Sequence, residues 1–473
     1  MFNHFIFVLI FYNMNSIPKL IHQIWIGPKK IPNYWSNTFS ELYIENNNDY
    51  EYKIWTNNNY LNELNKYPVL KIIFDEFKQF CYKADILRLI ILYEYGGIYI
   101  DADSVWLYNK SFNELLEKSK DTNFFVGRSP NENENSKFFL TNGVFGCTKN
   151  HPYIKNMIDY LENSIYKNNK YTKKLVNRLE SSKICGPGLF TRELKNKDVT
   201  IFPSNYFYPI SWFNLNIDNI DYNSHENSYM FQYGGTTNNL QSLTDINFYW
   251  INMDRSIERR KHMYYLFSKN LIYNYRINAY DGNKINEYND LNYNSFNNIS
   301  KYEYCCTFSH LKAIKTSYEN NDKISIICED DLCIDYKKKW KYNLEDIIKN
   351  APNDWEIIKI HCNNEKHINK LINDGLLFEP WNIRSTSTLG YIININGMKK
   401  ILNKYFINDK FVLKDSIEDK ADYLLYTSCI TYDYRYPLFN HLCNISNINK
   451  DQEITHINGK DAIDNYFLSI NDN

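Results

Sequence analysis

Tyr93-Glu94-Tyr95-Gly96-Gly97-Ile98-Tyr99-Ile100-Asp101-Ala102-Asp103 runs a helix end, a turn, an apolar strand and two carboxylates together. Upstream of it, Phe80, Ala84, Leu87, Ile91 and Tyr95 recur at intervals of three or four, which predicts a helix over residues 77–95. Gly96-Gly97 stops that helix, because glycine accepts the backbone conformation a helix C-cap requires. Ile98-Tyr99-Ile100 is then short, apolar and strand-like. Asp101 and Asp103 follow at i and i+2, so both carboxylates leave an extended chain on one side.

Their position gives them chemistry. Ligands of open α/β sheets bind beyond the carboxyl ends of strands. Two carboxylates there can hold a divalent cation through hard oxygen ligands. Such a cation neutralises the charge that develops on a departing diphosphate. Asp-x-Asp alone also occurs at solvated turns, so the weight comes from the helix before it. Asp85 and Arg88 stand at i and i+3 and share a face, among Ala84, Ile86, Leu87, Leu89 and Ile90. Charges in apolar surroundings are costly unless they have partners or ligands, and sugar hydroxyls are suitable ones.

Lys83-Ala84-Asp85-Ile86-Leu87-Arg88, taken with the stretch through Asp103, resembles the DXD-containing sugar-binding glycosyltransferases of family 32. That family includes yeast-type mannosyltransferases and relatives of the clostridial glucosylating toxins. His22-Gln23-Ile24-Trp25-Ile26-Gly27, Thr141-Asn142-Gly143 and Gly186-Pro187-Gly188 are similar to its other motifs, over residues 18–240. The resemblance implies a GT-A fold and a retaining transfer. It implies Asp103 and Asp101 on Mn²⁺ (or Mg²⁺), with Asp101 also on the donor ribose. It places Asp85 and Arg88 on the donor sugar. Trp25 has two readings, one against the nucleotide base and one as a core aromatic of the strand. One departure stands out. Where the family carries a late, His-rich metal motif, this chain has Ser228-Tyr229-Met230-Phe231-Gln232-Tyr233-Gly234-Gly235, with His225 the nearest histidine.

A second αβ pattern begins at Ile246-Asn247-Phe248-Tyr249-Trp250-Ile251-Asn252, followed by a helix from about Ser256. Thr307 to Tyr318 is expected to be helical, and Ile324 to Cys328, Trp355 to Ile360 and Gly390 to Ile395 to be strands. Glu329-Asp330-Asp331 closes the first of these strands and repeats the logic of Asp101 and Asp103. Asn252-Met253-Asp254-Arg255 with Glu258-Arg259-Arg260, then Cys306-Thr307-Phe308-Ser309-His310, then Glu329-Asp330-Asp331 resemble glycosyltransferase family 25 in order and spacing. Tyr391-Ile392-Ile393 and Ala421-Asp422-Tyr423-Leu424 are similar to that family's later motifs. This family includes lipooligosaccharide and collagen galactosyltransferases. The resemblance implies a UDP-hexose donor, Mn²⁺ and inversion. Glu329 and Asp331 are then the metal ligands, and Asn252, Arg255 and His310 contact the donor. Asp330 and Asp422 are the catalytic candidates. An inverting transferase needs a general base for the acceptor hydroxyl; Asp422 reads either as that base or as a helix-start aspartate.

The bulk properties agree with this division. The 473 residues suit more than one domain. Fifty-four basic against 55 acidic side chains leave a net charge of -1, which disfavours nucleic acid as a partner. The ten cysteines form no CxxC pair, which argues against a structural zinc site, and Cys328 in its apolar run reads as a buried thiol, in keeping with a reducing compartment such as the cytoplasm. The apolar run Phe5 to Tyr12 is shorter than the ~20 residues of a membrane helix and lacks a preceding Lys or Arg. The expected architecture is α/β: two GT-A-like nucleotide-sugar-binding domains, at residues 18–240 and 246–443, each a mixed, mostly parallel sheet flanked by helices. An apolar segment (1–17) precedes them, Gly234 to Asn239 links them, and a polar tail (444–473) follows. The expected partners are a nucleotide-sugar donor (a UDP-hexose, or GDP-mannose for the first half) and a glycan, protein or lipid acceptor. The alternative is that one half is a silent carbohydrate-binding or scaffolding module.

Overall fold

The computed structural model describes residues 16–44, 49–106, 110–130, 139–166, 182–211, 227–234, 242–293, 298–442 and 453–470. The chain divides into two compact units, Met1–Leu240 and Gln241–Asn473. The apolar run at Phe5 to Tyr12, His225 and the linker from Gly235 to Asn239 lie outside the described residues. Among the described residues, no helix is long and apolar enough to cross a membrane.

The first unit is built on a six-stranded sheet. Its strands are β1 (Leu20–Ile24), β2 (Glu51–Trp55), β3 (Gly97–Ile100), β5 (Phe124–Arg128), β6 (Leu140–Cys147) and β7 (Thr200–Phe202), in the order β2-β1-β3-β6-β5-β7. A separate ribbon pairs β4 (Ser104–Trp106) with β8 (Met230–Gln232). The helix predicted over 77–95 spans Phe80–Tyr95 and is called α1. It is buried nearly all round, so its charges cannot escape to solvent. At about 1.5–3 kcal/mol for each fully buried large aliphatic side chain, Ile86, Leu87, Leu89, Ile90, Ile91 and Leu92 outweigh the cost of enclosing Asp85 and Arg88.

The Gly-Gly turn behaves as its composition predicts. Gly96 has φ +67° and donates its N–H to the Leu92 carbonyl at 2.9 Å. Gly97 has φ +96°, and a Cβ there would stand 2.3 Å from the Leu20 carbonyl oxygen on β1. Gly97→Ala is therefore expected to destabilise the first unit by about 1–3 kcal/mol or more, read as a lowered melting temperature. An unchanged melt would mean that the turn relaxes freely.

The second unit has a seven-stranded sheet. Its strands are β9 (Asn247–Asn252), β10 (Asn274–Asn278), β11 (Ile324–Glu329), β12 (Ile357–Lys359), β13 (Phe378–Pro380), β14 (Gly390–Asn394) and β15 (Thr431–Tyr434). Their order is β10-β9-β11-β14-β12-β15-β13. Helix α2 (Ile257–Asn270) follows β9, and α3 (Lys301–Glu319) precedes β11. α3 starts earlier than apolar spacing suggested, because Ser300 and Glu303 form a capping box that satisfies orphan N–H groups at its start. A short helix, α4 (Ala421–Ser428), precedes β15.

The α/β expectation with mixed, helix-flanked sheets holds in both units. Three of five ladders are parallel in the first sheet. In the second, three of six are parallel. Hydrophobic runs show burial but not strand direction, so that balance was not readable from residues. The polar tail expected over 444–473 is corrected. Residues 453–469 form a helix, α5, whose Ile463 and Phe467 pack with Cys362 and Ile368. Its apolar residues are sparse among polar ones, which is why it read as tail.

Candidate functional sites

In the first unit, Asp101 leaves the carboxyl end of β3, a fully buried strand between β1 and β6. Its backbone N–H donates to the Gly143 carbonyl at 2.8 Å. Arg88, buried on α1, lies 3.2 Å from both the Asp85 and the Asp101 carboxylates. It also donates to the Asn142 carbonyl at 2.6 Å, and its guanidinium stacks 4.4 Å from the Tyr99 ring centre. Asn142 donates to Asp85 at 2.7 Å, and the Tyr99 hydroxyl donates to Asp101 at 2.8 Å. Burial pushes the Asp85 carboxyl up to about 6, against the pull of Arg88 and Asn142. The sequence pairing of Asp85 with Arg88, and of both with the Asp-x-Asp end, is thus one connected cluster. A Cβ at Gly143 would stand 2.8 Å from Asp101 Oδ2 and would push that carboxylate out of place.

Gln232 is the residue that motif reading passed over. It stands on β8 within the stretch that lacks histidine, opposite Ser104 on β4. Its amide donates to Asp101 at 2.9 Å and to Asp103 at 3.1 Å. An amide's orientation is assigned from its hydrogen bonds; turned over, it offers an oxygen between the same two carboxylates. Asp101, Asp103 and Gln232 together make a hard-oxygen set that fits Mn²⁺ or Mg²⁺. Trp25 sits just past the end of β1, half-buried, with its indole N–H donated to the Lys29 carbonyl at 3.1 Å. It is not a fully buried core aromatic.

In the second unit, Glu329 ends β11, the strand between β9 and β14, and Asp330 and Asp331 follow. Arg259, from α2, lies 2.9 Å from Asp330 and 3.4 Å from Asp331. Asn252 donates to the other Asp330 oxygen at 2.7 Å, and Arg276 Nε donates to the Asn252 side-chain oxygen Oδ1 at 2.9 Å. Asp330 therefore has both oxygens engaged and braces the turn. Asn252 is buried in the same brace and does not line the cavity in front of it.

That cavity, about 150 Å³, is lined by Arg255, Arg259, Cys306, His310, Glu329, Asp330, Asp331, His441 and His456, among others. Arg255 is paired with Asp281. Asp331 is half-buried, and its buried Oδ1 lacks a hydrogen-bond partner among the described residues. Burial, and then the neighbouring Glu329 charge, raise its carboxyl above the ordinary range. Burial also disfavours ionised Glu329, but His310, Thr388 and Arg259 together pull it below the usual value. Glu329 and Asp331 both line the cavity, and Asp331 Oδ1 is left without a protein hydrogen bond, so the pair offers hard oxygen donors that fit a divalent cation.

His310 lies fully buried on α3, with Nδ1 3.3 Å from the Tyr391 hydroxyl and Nε2 3.5 Å from Glu329. Asp422 is half-buried in the first turn of α4, accepts the Tyr423 N–H at 3.0 Å and does not line the cavity. His441, missed from the sequence, is buried beside the acidic turn: it pairs with Leu332, and the Leu442 N–H donates to the Asp331 carbonyl at 2.9 Å. Its ring lies 5.6 Å from that of His456, and burial lowers its imidazole to about 4.

Comparison with known proteins agrees with both halves. Residues 32–122 match the glycosyltransferase sugar-binding region containing the DXD motif. Residues 245–415 match glycosyltransferase family 25 (LPS biosynthesis protein). Inositol phosphoceramide mannosyltransferase 3 of Schizosaccharomyces pombe is 31% identical over 144 residues, 30% of this chain and 36% of that protein. The chain thus spans about a third of that relative's length. Uncharacterized glycosyltransferase L373 of Acanthamoeba polyphaga mimivirus is 28% identical over 203 residues, 42% of this chain and 75% of that protein. Among solved structures, the PaToxG glycosyltransferase aligns over 38% of this chain and 68% of its own, with 22% identity and a TM-score of 0.28. Two different glycosyltransferase family models thus match this chain in succession, the DXD-containing sugar-binding region in the first unit and family 25 in the second.

Proposed function

We propose that the chain is a metal-dependent hexosyltransferase with two centres. Each centre moves a hexose from a nucleotide-sugar donor to a glycan, protein or lipid acceptor. One observation carries this reading: each unit sets carboxylates at the carboxyl end of an interior strand and holds them with one helix-borne arginine, Arg88 or Arg259. Such an end is where open α/β sheets bind ligands. The donor of the second unit is a UDP-hexose and that of the first a UDP-hexose or GDP-mannose. The first unit retains and the second inverts, following the families that each resembles.

Asp101, Asp103 and Gln232 would hold the cation of the first unit, and Glu329 and Asp331 that of the second, with His441 at hand. When bound, the cation supplies charge neutralisation for the diphosphate leaving group. The protein's own residues do the rest. Arg88 and Asn142 fix Asp85, which would meet the donor hydroxyls. Arg259 and Asn252 clamp Asp330, which sets the direction of Asp331. In the second unit, Asp422 stands outside the cavity, so its service as a base requires the acceptor to bind along α4.

The test is a screen of nucleotide sugars for hydrolysis by the full chain, with Mn²⁺ and with chelator, alongside Asp103→Ala and Asp331→Ala. The expected result is donor turnover that chelator abolishes, with each variant losing a different donor. Turnover of no donor under any metal condition would overturn the enzymatic reading. Loss of activity in only one variant would identify the other half as the silent module.

A further inference from the structure

Cys306 and His310 stand at i and i+4 on α3 and therefore share a face. Glu329, at the end of β11, meets that face. A sulfur, an imidazole nitrogen and a carboxylate oxygen from these three side chains all lie within 4.8 Å of one another. All three line the cavity of the second unit.

The arrangement around them is that of a built ligand set. His310 is 0% exposed, and its Nε2 faces Glu329 at 3.5 Å without a well-formed hydrogen bond. Its Nδ1 lies 3.3 Å from the Tyr391 hydroxyl. With the Nδ1 proton donated to that oxygen, the Nε2 lone pair is left facing the thiol and the carboxylate. The Thr388 hydroxyl donates to Glu329 Oε1 at 2.6 Å and fixes the carboxylate in turn. Outer partners of this kind orient the ligands of protein metal sites.

The donor types decide which ion fits. An all-oxygen set suits Mg²⁺ or Mn²⁺, whereas thiolate with imidazole favours Zn²⁺. Three protein ligands facing a cavity leave the fourth tetrahedral position open to water or a ligand. The geometry points to a Zn²⁺-binding site formed by Cys306, His310 and Glu329, separate from the hard-cation role of Asp331. Binding converts the Cys306 thiol to thiolate and releases its proton to solvent, with His310 neutral and Glu329 ionised. Because Glu329 belongs to both ligand sets, Zn²⁺ here and a hard cation on Glu329 and Asp331 compete for one carboxylate. The inference does not depend on the transferase reading, since its readout is ligation.

The experiment is titration of the metal-free full chain with Co²⁺, followed by displacement with Zn²⁺. The expected result is a near-ultraviolet thiolate-to-cobalt charge-transfer band that Zn²⁺ bleaches. Cys306→Ser is expected to lose the band. Tyr391→Phe is expected to keep it while Zn²⁺ affinity falls about 10–100-fold. A band of full intensity in Cys306→Ser, or no band in the wild-type chain, would overturn the site. If Cys306→Ser fails to fold, alkylation of the wild-type chain decides. Selective protection of Cys306 by Zn²⁺ supports the site, and equal alkylation with and without Zn²⁺ refutes it.

Discussion

Asp331→Asn is expected to lower Mn²⁺-dependent donor turnover by the second unit by about 10²–10³-fold, the scale of removing one preorganised electrostatic contact to a developing charge. The substitution keeps shape and removes charge. Asp331 is half-buried, and its buried Oδ1 lacks a hydrogen-bond partner among the described residues, so that oxygen is the one left over for an ion. Asp330→Asn is the informative contrast. Both Asp330 oxygens are engaged, by Arg259 and Asn252. Its amide cannot accept at both positions, so the loss should fall on the stability of the turn. The expected pattern is a large fall in Mn²⁺ affinity with little change in melting for Asp331→Asn, and the reverse emphasis for Asp330→Asn. Undiminished Mn²⁺ affinity in Asp331→Asn would remove Asp331 from the ligand set.

The second large effect concerns Arg88. Arg88→Ala leaves Asp85 and Asp101 without the guanidinium that lies 3.2 Å from each. Breaking a buried ion pair by removing one partner costs about 3–5 kcal/mol, because a charge remains buried and uncompensated. For a domain of this size that corresponds to a fall of about 6–20 °C in the melting temperature of the first unit. The second unit's transition should stay in place. The pH dependence follows from Asp85, whose carboxyl burial already pushes up to about 6 in the folded protein. A carboxyl with a raised folded value favours the fold at low pH and loses that contribution as pH rises through the folded value. Without Arg88 the value rises further, so acidification from neutral pH should recover part of the lost stability. A loss equal at all pH values would mean that packing, rather than charge, was removed.

The residues themselves determined a good deal of this protein. Apolar spacing from Phe80 to Tyr95 and the stop at Gly96-Gly97 wrote α1 and the turn into β3, because helix periodicity and glycine's backbone freedom are local properties. The acidic ends at Asp101-Ala102-Asp103 and Glu329-Asp330-Asp331 were legible for the same reason: each directly follows an apolar strand run. Asp85 with Arg88 was legible because helical spacing fixes a shared face.

Tertiary structure alone decided what these groups touch. Gln232 reaches Asp101 and Asp103 from about 130 residues downstream, through the β4–β8 ribbon. Arg259, named from the sequence only as part of a stretch similar to family 25, is the clamp on Asp330 and Asp331. His441 comes beside Asp331 across a separate two-stranded pairing, and Cys306 faces Glu329 only because α3 packs beside β11. Asp330, expected to act on substrate, has both oxygens spent on protein partners, and Asp422 lies off the cavity. Contacts of this range depend on strand order and sheet direction, which burial patterns do not encode. The helix-to-Asp-x-Asp segment was set by its own residues; its arginine-clamped, glutamine-bridged geometry was set by the fold.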